Sequence, residues 1–147
     1  MKKNNNSEIV GDSIALPCNF AKAVANKSTI ALAFVGDAVL TLCTRAELVT
    51  KHDLKPAELH KRASAFDCAK AQAQAFDQVL PHLTDVEADI ARRARNSETN
   101  TVPKSCTLAE YKKATALEAV IGYNYMIGGI ERVVELFTLG GQTINVT

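Results

Sequence analysis

Two long apolar stretches, each with a single acidic residue, constrain what this chain can fold into more than any other feature. Asp37 is the only charged residue among the fourteen from Ile30 to Cys43. Glu118 is the only one among the sixteen from Ala114 to Gly129. Acidic side chains are rarely buried unless they are paired or bind a metal. Two such acids in a short chain predict a shared site; the alternative is that each lies at the polar edge of its helix and faces water.

Size and composition indicate a single globular domain. The chain has 147 residues, 47% of them hydrophobic, which is enough for one hydrophobic core. Its net charge of +1 does not point to nucleic-acid binding, so a basic surface would have to come from local clustering. No signal-peptide pattern follows Met1, and the apolar runs are shorter than the ~20 residues of a membrane-spanning helix. The four cysteines lack metal-binding or redox spacing, so we expect a cytoplasmic protein without membrane contact.

Apolar residues recur at helical spacing and nowhere alternate as in strands, so we predict an all-α fold. Asn26 or Ser28 is suited to begin the Asp37 helix, which should end at about Val49. The predicted domain comprises residues 26–139, between an N-terminal extension of residues 1–25, expected to be partly flexible, and a tail of residues 140–147. Other helices are expected at about residues 20–25, 57–62, 64–80 and 130–139.

Two capping boxes predict the remaining helix starts. Thr84 with Glu87 opens the helix that carries three arginines, and Thr107 with Glu110 opens the Glu118 helix. Pro81 is expected to end the helix before Thr84. Residues 96–106 are expected to form a loop.

The surroundings of the two acids favour a divalent metal. Ala33 and Thr41 lie one turn on either side of Asp37, so no ionic side chain competes for its oxygens. Facing carboxylates repel each other, and burial raises their pKa unless a cation is present. An all-oxygen site suits Mg²⁺, or Mn²⁺ in its place, and such a metal promotes phosphodiester hydrolysis. The pattern predicts that Asp37 and Glu118 bind the metal and act in catalysis.

Glycines next to the acids indicate close contacts. Gly36 precedes Asp37, and Gly122 lies one turn after Glu118. Glycine costs about 1 kcal/mol relative to alanine inside a helix. Its use at both positions therefore predicts that another helix or a ligand approaches closely.

A phosphate substrate requires positive charge, and one segment of the chain supplies it. Residues 92–113 have a net charge of +4, with two acids (Glu98 and Glu110) and six basic residues: Arg92, Arg93, Arg95, Lys104, Lys112 and Lys113. Residues 92–106 include no aromatic residue for base stacking, so a duplex backbone is the better target. The alternative is that this segment is a solvated charged face.

Several of these stretches resemble the ribonuclease III family. Residues 31–39 (ALAFVGDAV) resemble the signature of its catalytic domain, and residues 114–122 (ATALEAVIG) resemble its second acidic motif. The closer resemblance is to the Mini-III branch, bacterial proteins without a separate double-stranded-RNA-binding domain. It covers residues 26–139 in one order and includes four further segments: Leu59–Lys61, Ala69–Ala73, Arg92–Asn96 and Thr101–Lys104.

The resemblance implies an all-α homodimer that cleaves double-stranded RNA with Mg²⁺ during maturation of large-subunit (23S) ribosomal RNA. This role would also be compatible with an accessory ribosomal protein that presents the RNA substrate. Asp37 and Glu118 would be the catalytic and metal-binding pair, and Phe34 would insert into a socket of the partner chain. RNA contacts are expected from six residues: Lys70, Arg92, Arg93, Arg95, Asn96 and Lys104.

The chain departs from the family pattern at two positions. The family usually has an acid at the position of Thr41 and a glycine at the position of Ala94. Neither departure removes the catalytic pair, but Ala94 would stiffen or reshape a turn that contacts RNA. The further acids of full-length ribonuclease III are replaced by Ile30, Ala33 and Thr115, as in the Mini-III branch.

Two alternatives remain open at the level of sequence. The chain could keep this fold as a non-catalytic module that binds structured RNA or a ribosomal particle. Retention of both acids favours the enzyme, because a pure binder gains nothing from acids that face a polyanion. Phe34 could be an ordinary core residue, but the Asp37 helix is apolar on nearly all sides, which favours partners on both faces and a homodimer.

Overall fold

Helices make up the fold described by the computed structural model, which covers residues 20–99 and 101–141. No strand occurs within these residues, and this confirms the predicted all-α class. Residues 1–19 of the predicted extension and residues 142–147 of the predicted tail lie outside the described residues. In chain order the helices are α1 (Ala21–Val24), α2 (Thr29–Lys51), α3 (Pro56–Phe66), α4 (Ala69–Val79), a 3₁₀ turn (Leu80–His82), α5 (Asp85–Arg95), α6 (Leu108–Met126) and α7 (Ile130–Leu139).

The helices α2, α5 and α6 begin with side-chain caps at the residues that the sequence predicted. The Ser28 hydroxyl accepts a hydrogen bond from the backbone N–H of Ala31 and starts α2. Caps of this kind contribute about 1 kcal/mol each by satisfying free N–H groups. Both predicted capping boxes form: Thr84 with Glu87 at the start of α5, and Thr107 with Glu110 at the start of α6.

The two helices predicted over residues 57–62 and 64–80 both form, but the break between them is four to five residues later than predicted. The first helix continues to Phe66, and the second begins at Ala69. Between them Cys68 is extended, with φ −81° and ψ 152°. This turn lets α3 pack on α2 while α4 packs on α6. α4 ends at Val79, one residue before the predicted end at Leu80, and Pro81 lies in the short 3₁₀ turn that follows.

The two helices that carry the isolated acids form the centre of the fold. α2 packs along α6, with α4 and α5 on other sides of α6 and α3 on α2. Leu40, Phe76 and Ile121 of these helices are almost fully buried, as is Leu136 of α7. Burying a side chain of this kind contributes roughly 1.5–3 kcal/mol. α6 is buried on nearly all sides, whereas α2 keeps one side exposed.

Length and composition alone would allow α2 to cross a membrane, because Thr29–Lys51 is both long and apolar. A core helix of a globular protein has the same properties, and α2 contacts α3, α5 and α6. This helix is therefore only weak support for a membrane span.

Candidate active site

The two central helices cross in backbone contact at a pair of glycines. A Cβ atom added to Gly36 would lie 1.7 Å from the backbone carbonyl oxygen of Glu118. One added to Gly122 would lie 1.9 Å from the backbone carbonyl oxygen of Leu32. Any side chain at either glycine would push α2 and α6 apart. The glycines therefore allow the close approach that the sequence predicted, and they bring the turn with Asp37 against the turn with Glu118.

The two acids have different environments within one site. Glu118 is half-buried, and burial, followed by the nearby charge of Asp37, raises the pKa of its carboxyl to about 8. Asp37 is exposed in the single chain, so the alternative of an acid that faces water is correct for this side chain. Its charge nevertheless acts on Glu118, which places both acids in one site.

Sequence reasoning missed a third acid near this pair. Asp67 follows the last residue of α3, and its half-buried carboxyl lies near Arg45 and near the hydroxyls of Thr41 and Thr44 on α2. Burial is the main cause that raises the pKa of Asp67; the charge of Asp37 adds to it, whereas Arg45 and the hydroxyls oppose it. Asp67 reaches this place only because α3 packs on α2, and no local sequence pattern signals that contact.

Two of the three arginines of α5 line a cavity of about 320 Å³. Arg92, Arg95 and Asn96 border it from the end of α5, and Lys112 borders it from α6. The Arg95 guanidinium also lies 5.8 Å from the centre of the Phe76 ring, a distance at which cation–π attraction helps to fix its position. Three predicted RNA-binding residues thus converge on one concave, positively charged surface.

A second cavity, of about 260 Å³, lies next to this basic region, and Glu98 and Lys112 are its two charged lining residues. Lys112 borders both cavities, and Thr115 borders the second one from a position one turn before Glu118. Ile30 borders it from α2, two turns before Asp37. The second cavity therefore adjoins the turn of α6 before Glu118, whereas the continuity of the basic surface with the acidic pair stays a prediction.

The other basic residues lie on different surfaces. Lys113 forms a salt bridge of 2.8 Å with Asp77, and both residues border a separate cavity together with Lys70. Lys104 is exposed in the turn before α6. The predicted +4 cluster is therefore divided, because Lys113 lies beside Lys70 on the α4 side of α6 and the arginines lie on the α5 side.

Two of the arginines share one exposed partner. Arg92 and Arg93 pair with the two carboxylate oxygens of Asp89, at 2.7 and 2.9 Å. Exposed pairs of this kind contribute about 0–1 kcal/mol. The guanidinium groups can therefore exchange Asp89 for a phosphate at little cost.

Buried Glu87 holds the arginine-bearing helix in place. Its carboxylate accepts hydrogen bonds from Arg132 at 2.7 and 3.2 Å and from the Asn124 amide at 2.7 Å. Burial alone would raise the pKa of Glu87, but these bonds, with one from the Thr84 backbone, hold it below its usual value. Sequence reasoning identified Glu87 only as a capping residue, although it also ties α5 to α6 and α7.

Comparison with known proteins establishes the family. Residues 30–129 match the Ribonuclease III domain. This chain belongs to the ribonuclease III family. A Mini-ribonuclease 3 from Brevibacillus brevis is 39% identical over 107 residues, which cover 73% of this chain and 80% of that protein. A Mini-ribonuclease 3 from Thermoanaerobacter sp. is 37% identical over 123 residues, which cover 84% of this chain and 87% of that protein.

A solved structure agrees with this assignment. A crystal structure of a protein from Fusobacterium nucleatum matches with a TM-score of 0.71 and 33% identity, over 79% of this chain and 93% of that one. Similarity over most of the length of these relatives confirms the resemblance to the Mini-III branch. The chain is an endoribonuclease of the Mini-III type.

In this ribonuclease III fold Phe34 is available for a contact with another molecule. Its side chain is 84% exposed, so the alternative of an ordinary core residue is wrong. Ile30, Leu42 and Val49 are also exposed, and helical spacing places them on the same side of α2. A continuous apolar stripe of this kind usually marks an interaction surface.

The donor set of this Mini-III site fits a hard divalent cation. Asp37 and Glu118 offer carboxylate oxygens, and a bound cation would offset the burial and repulsion that hold the proton on Glu118. Among the described residues, no group of three or more His, Cys, Asp or Glu side chains is arranged to hold a metal. An ion bound by the pair would therefore complete its shell with water, as Mg²⁺ commonly does.

Proposed function

We propose that this Mini-III ribonuclease cleaves double-stranded RNA by Mg²⁺-dependent phosphodiester hydrolysis at Asp37 and Glu118. The observation that carries the proposal is the backbone contact at Gly36 and Gly122, which brings an exposed and a half-buried carboxyl into one site. Like charge and burial make this pair unfavourable by itself. A divalent cation bound between the two carboxyls would offset both their repulsion and the cost of burying their charge.

Each acid has its own role in this proposal. Asp37 faces solvent and would hold the metal where an RNA phosphate can reach it, whereas Glu118 is held in place by the helix contact next to it. When bound, Mg²⁺, or Mn²⁺ in its place, activates a water molecule and neutralises charge on the phosphate. The fixed position of the two carboxyls matters, because a displacement of about 1 Å can lower a rate roughly 100-fold.

In this proposal the cavity at the end of α5 binds the RNA backbone. Arg92, Arg95 and Asn96 are placed to contact phosphates and 2′-hydroxyls, with Arg93 and Lys104 exposed nearby in the chain. Such contacts recognise the duplex by its shape and backbone and carry little sequence information. Lys70 belongs to this proposal as a contact from the α4 side of α6, where a second strand of backbone would pass.

We also propose that the enzyme is a homodimer built on the exposed stripe of α2. A cavity of about 220 Å³ lies at the other end of this helix, between α2 and α3, with Leu48, Val49 and Leu59 among its lining residues. In a two-fold dimer with antiparallel α2 helices, Phe34 of one copy faces this cavity in the other. Two sites that face one duplex would then allow a cut in each strand.

The natural substrate in this proposal is a precursor of 23S ribosomal RNA in the cytoplasm. The resemblance to the Mini-III branch supports this role. Mapping of 23S RNA ends in cells that lack the protein tests it directly. Unprocessed ends are expected, and normal ends would contradict the proposed substrate without affecting the proposed chemistry.

The test of the activity uses a fully paired RNA with and without Mg²⁺. Cleavage is expected only with the metal. The Glu118→Gln variant keeps the size of the side chain but loses its charge, so it should bind RNA and lose several orders of magnitude in rate. If neither protein cleaves but both bind the duplex, the chain is the non-catalytic RNA-binding module instead.

A further inference from the structure

Two opposite charges on the exposed side of α2 have no partner in their own helix. α2 carries four charged residues, and two of them, Glu47 and Lys51, form a salt bridge with each other. The other two are Asp37 and Arg45, and both are exposed. Every residue three or four positions away from either side chain along the helix is uncharged. Eight positions, about 12 Å along a helix, separate Asp37 from Arg45, so the two do not pair within one chain.

Arg45 lies within the apolar stripe that the proposed dimer would bury. Leu42 and Val49, three positions before it and four after it, share its side of α2. Arg45 also borders the cavity between α2 and α3. Asp67 lies near it, but no salt bridge joins the two within the described part of the chain. A charge buried in an interface without a partner is strongly unfavourable, so the dimer requires an acid from the second copy opposite Arg45.

The register of the dimer determines which residue faces Arg45. Phe34 of one copy faces the cavity that Leu48 borders in the other. In a pair of antiparallel helices, a step forward along one helix is a step backward along the other. Asp37, three residues after Phe34, therefore lies opposite Arg45, three residues before Leu48. The two-fold axis makes this contact twice in each dimer, and it brings together the two unpaired charges of α2.

We propose that Arg45 of the partner subunit pairs with Asp37 and completes each active site. A carboxylate has two oxygens, so the guanidinium can donate hydrogen bonds to one of them while the other faces the metal. Arg45 is thus a positioning residue that fixes the orientation of Asp37 from the second chain. This inference rests on the proposed function and its dimer, and it adds that neither site is complete in a single chain.

Exchange of the two charges tests the pairing without RNA. In a dimer of Arg45→Glu the introduced acid would face Asp37, and in a dimer of Asp37→Lys the introduced cation would face Arg45. Each variant alone should therefore have a dissociation constant at least about 30-fold higher than the parent. In an equimolar mixture both cross-chain pairs unite opposite charges: Asp37 with Arg45, and the introduced lysine with the introduced glutamate. A heterodimer should then form with nearly the parent's affinity, as measured by light scattering and native mass spectrometry.

A charge reversal outside the stripe is the matched control. Lys22 is exposed on α1, and Lys22→Glu changes the net charge as Arg45→Glu does. It should dimerise like the parent and should not rescue Asp37→Lys. Asp37 and Arg45 are exposed, so their variants should fold, which circular dichroism verifies.

The outcomes separate this inference from the proposed dimer. If the parent is a dimer but the mixture is no more dimeric than each variant alone, the inference about Arg45 is wrong and the proposed dimer stands. Pairing of Arg45 with Asp67 of its own chain would give that result. If either variant alone dimerises like the parent, the cross-chain pair is refuted as well. If the parent is a monomer, the proposed dimer fails and the inference fails with it.

Cleavage by mixed dimers tests the role of Arg45 in the active site. Arg45→Ala should cleave duplex RNA about tenfold more slowly than the parent at concentrations where it is dimeric, because Asp37 loses its fixed orientation. Mixed with inactive Glu118→Gln, it should form a dimer in which intact acids of one chain meet Arg45 of the other. Such a site should cut one strand at close to the parent's rate, and no gain on mixing would refute the role in catalysis. If the charge-exchanged heterodimer forms but the parent cleaves no RNA, the proposed function fails while the cross-chain pair stands.

Discussion

At the scale of single residues, Glu118 links the packing of the fold to its chemistry. The contact at Gly36 brings the backbone of Glu118 against the helix of Asp37, and burial of the Glu118 carboxyl, followed by the charge of Asp37, raises its pKa to about 8. Without a metal, the folded protein therefore holds a proton on Glu118 at neutral pH, whereas the unfolded chain does not. Metal binding must displace that proton, so the helix contact makes the site sensitive to both pH and metal.

The first prediction concerns stability in the presence of a chelator. Because the folded protein binds the Glu118 proton more tightly than the unfolded chain, the free energy of unfolding should fall as the pH rises from about 4.5 to about 8. Each unit of pKa difference corresponds to about 1.4 kcal/mol, so the loss should reach a few kcal/mol. Glu118→Gln has no such proton, and urea unfolding across this range should show a flatter dependence.

Added Mg²⁺ provides the control for this prediction. It should restore the stability of the parent at the upper end of the pH range, because it binds the ionised carboxyls of the folded state only. The Glu118→Gln variant should gain little. Equal pH dependence in parent and variant would assign the effect to other groups.

At the scale of helices, α5 presents arginines to the RNA from a position fixed by Glu87. This carboxylate joins α5 to Arg132 of α7 and to Asn124 of α6. Glu87→Gln would leave the half-buried Arg132 without its carboxylate, so we expect a loss of about 2–4 kcal/mol in the free energy of unfolding. Denaturation with urea measures it, and Glu131→Gln, an exposed change on α7, should alter stability by at most about 0.5 kcal/mol.

The pH dependence of this effect has the opposite sign to that of Glu118. The pKa of Glu87 is lowered in the folded state, so its contribution is present above the ordinary value of 4.5 and is lost as the pH falls through the lowered pKa. Parent and Glu87→Gln should therefore become similar in stability in strong acid. A difference that persists there would mean that the variant acts through packing and not through charge.

The arginines of α5 permit a test of RNA binding at the same scale. Replacing Arg92, Arg93 and Arg95 with alanine should weaken binding to all duplexes about equally, because backbone contacts carry little sequence information. The slope of log affinity against log salt should flatten by up to about one unit for each lost phosphate contact. Filter binding over a salt series measures both effects.

A charge-matched variant separates specific contacts from net charge. Three exposed lysines outside the α5 segment serve this purpose when changed to alanine together: Lys22, Lys51 and Lys55. This variant should retain most of the parent's affinity. If the arginine variant binds and cuts duplex RNA like the parent, the arginines are merely a solvated face.

Local signals determined how much of these helices could be predicted. α7 and the starts of α5 and α6 were predicted correctly, because glycines and capping boxes act over a few residues. The turn at Cys68 contains neither glycine nor proline and depends on how α3 and α4 pack on different helices. The two lone acids were predicted as a pair because each lies in an apolar run that the sequence shows. Asp67 was not predicted, because its position depends on the packing of α3 on α2.

At the scale of the whole molecule, the two central helices differ in what covers them. α6 is enclosed by α2, α4 and α5, whereas α2 leaves a stripe of Phe34, Leu42 and Val49 exposed. Asp37 is exposed on this same helix. A dimer built on the stripe would cover apolar surface and would place two catalytic sites near one interface.

The last prediction tests this dimer through its most exposed aromatic side chain. Phe34→Glu should give a folded monomer, because an 84% exposed side chain contributes little to the core of its own chain. Loss of a central aromatic contact typically costs about 2–4 kcal/mol, which corresponds to a dissociation constant roughly 30- to 1,000-fold higher. Light scattering over a concentration series measures the change, and Val134→Glu, at an exposed apolar position of α7, is the matched control and should leave a dimer intact. The Phe34→Glu monomer would have one catalytic site for each duplex instead of two. It should therefore cut one strand of the duplex more often than it cuts both strands. A parent protein that is monomeric at micromolar concentration, or a Phe34→Glu variant that stays dimeric, would refute the proposed interface.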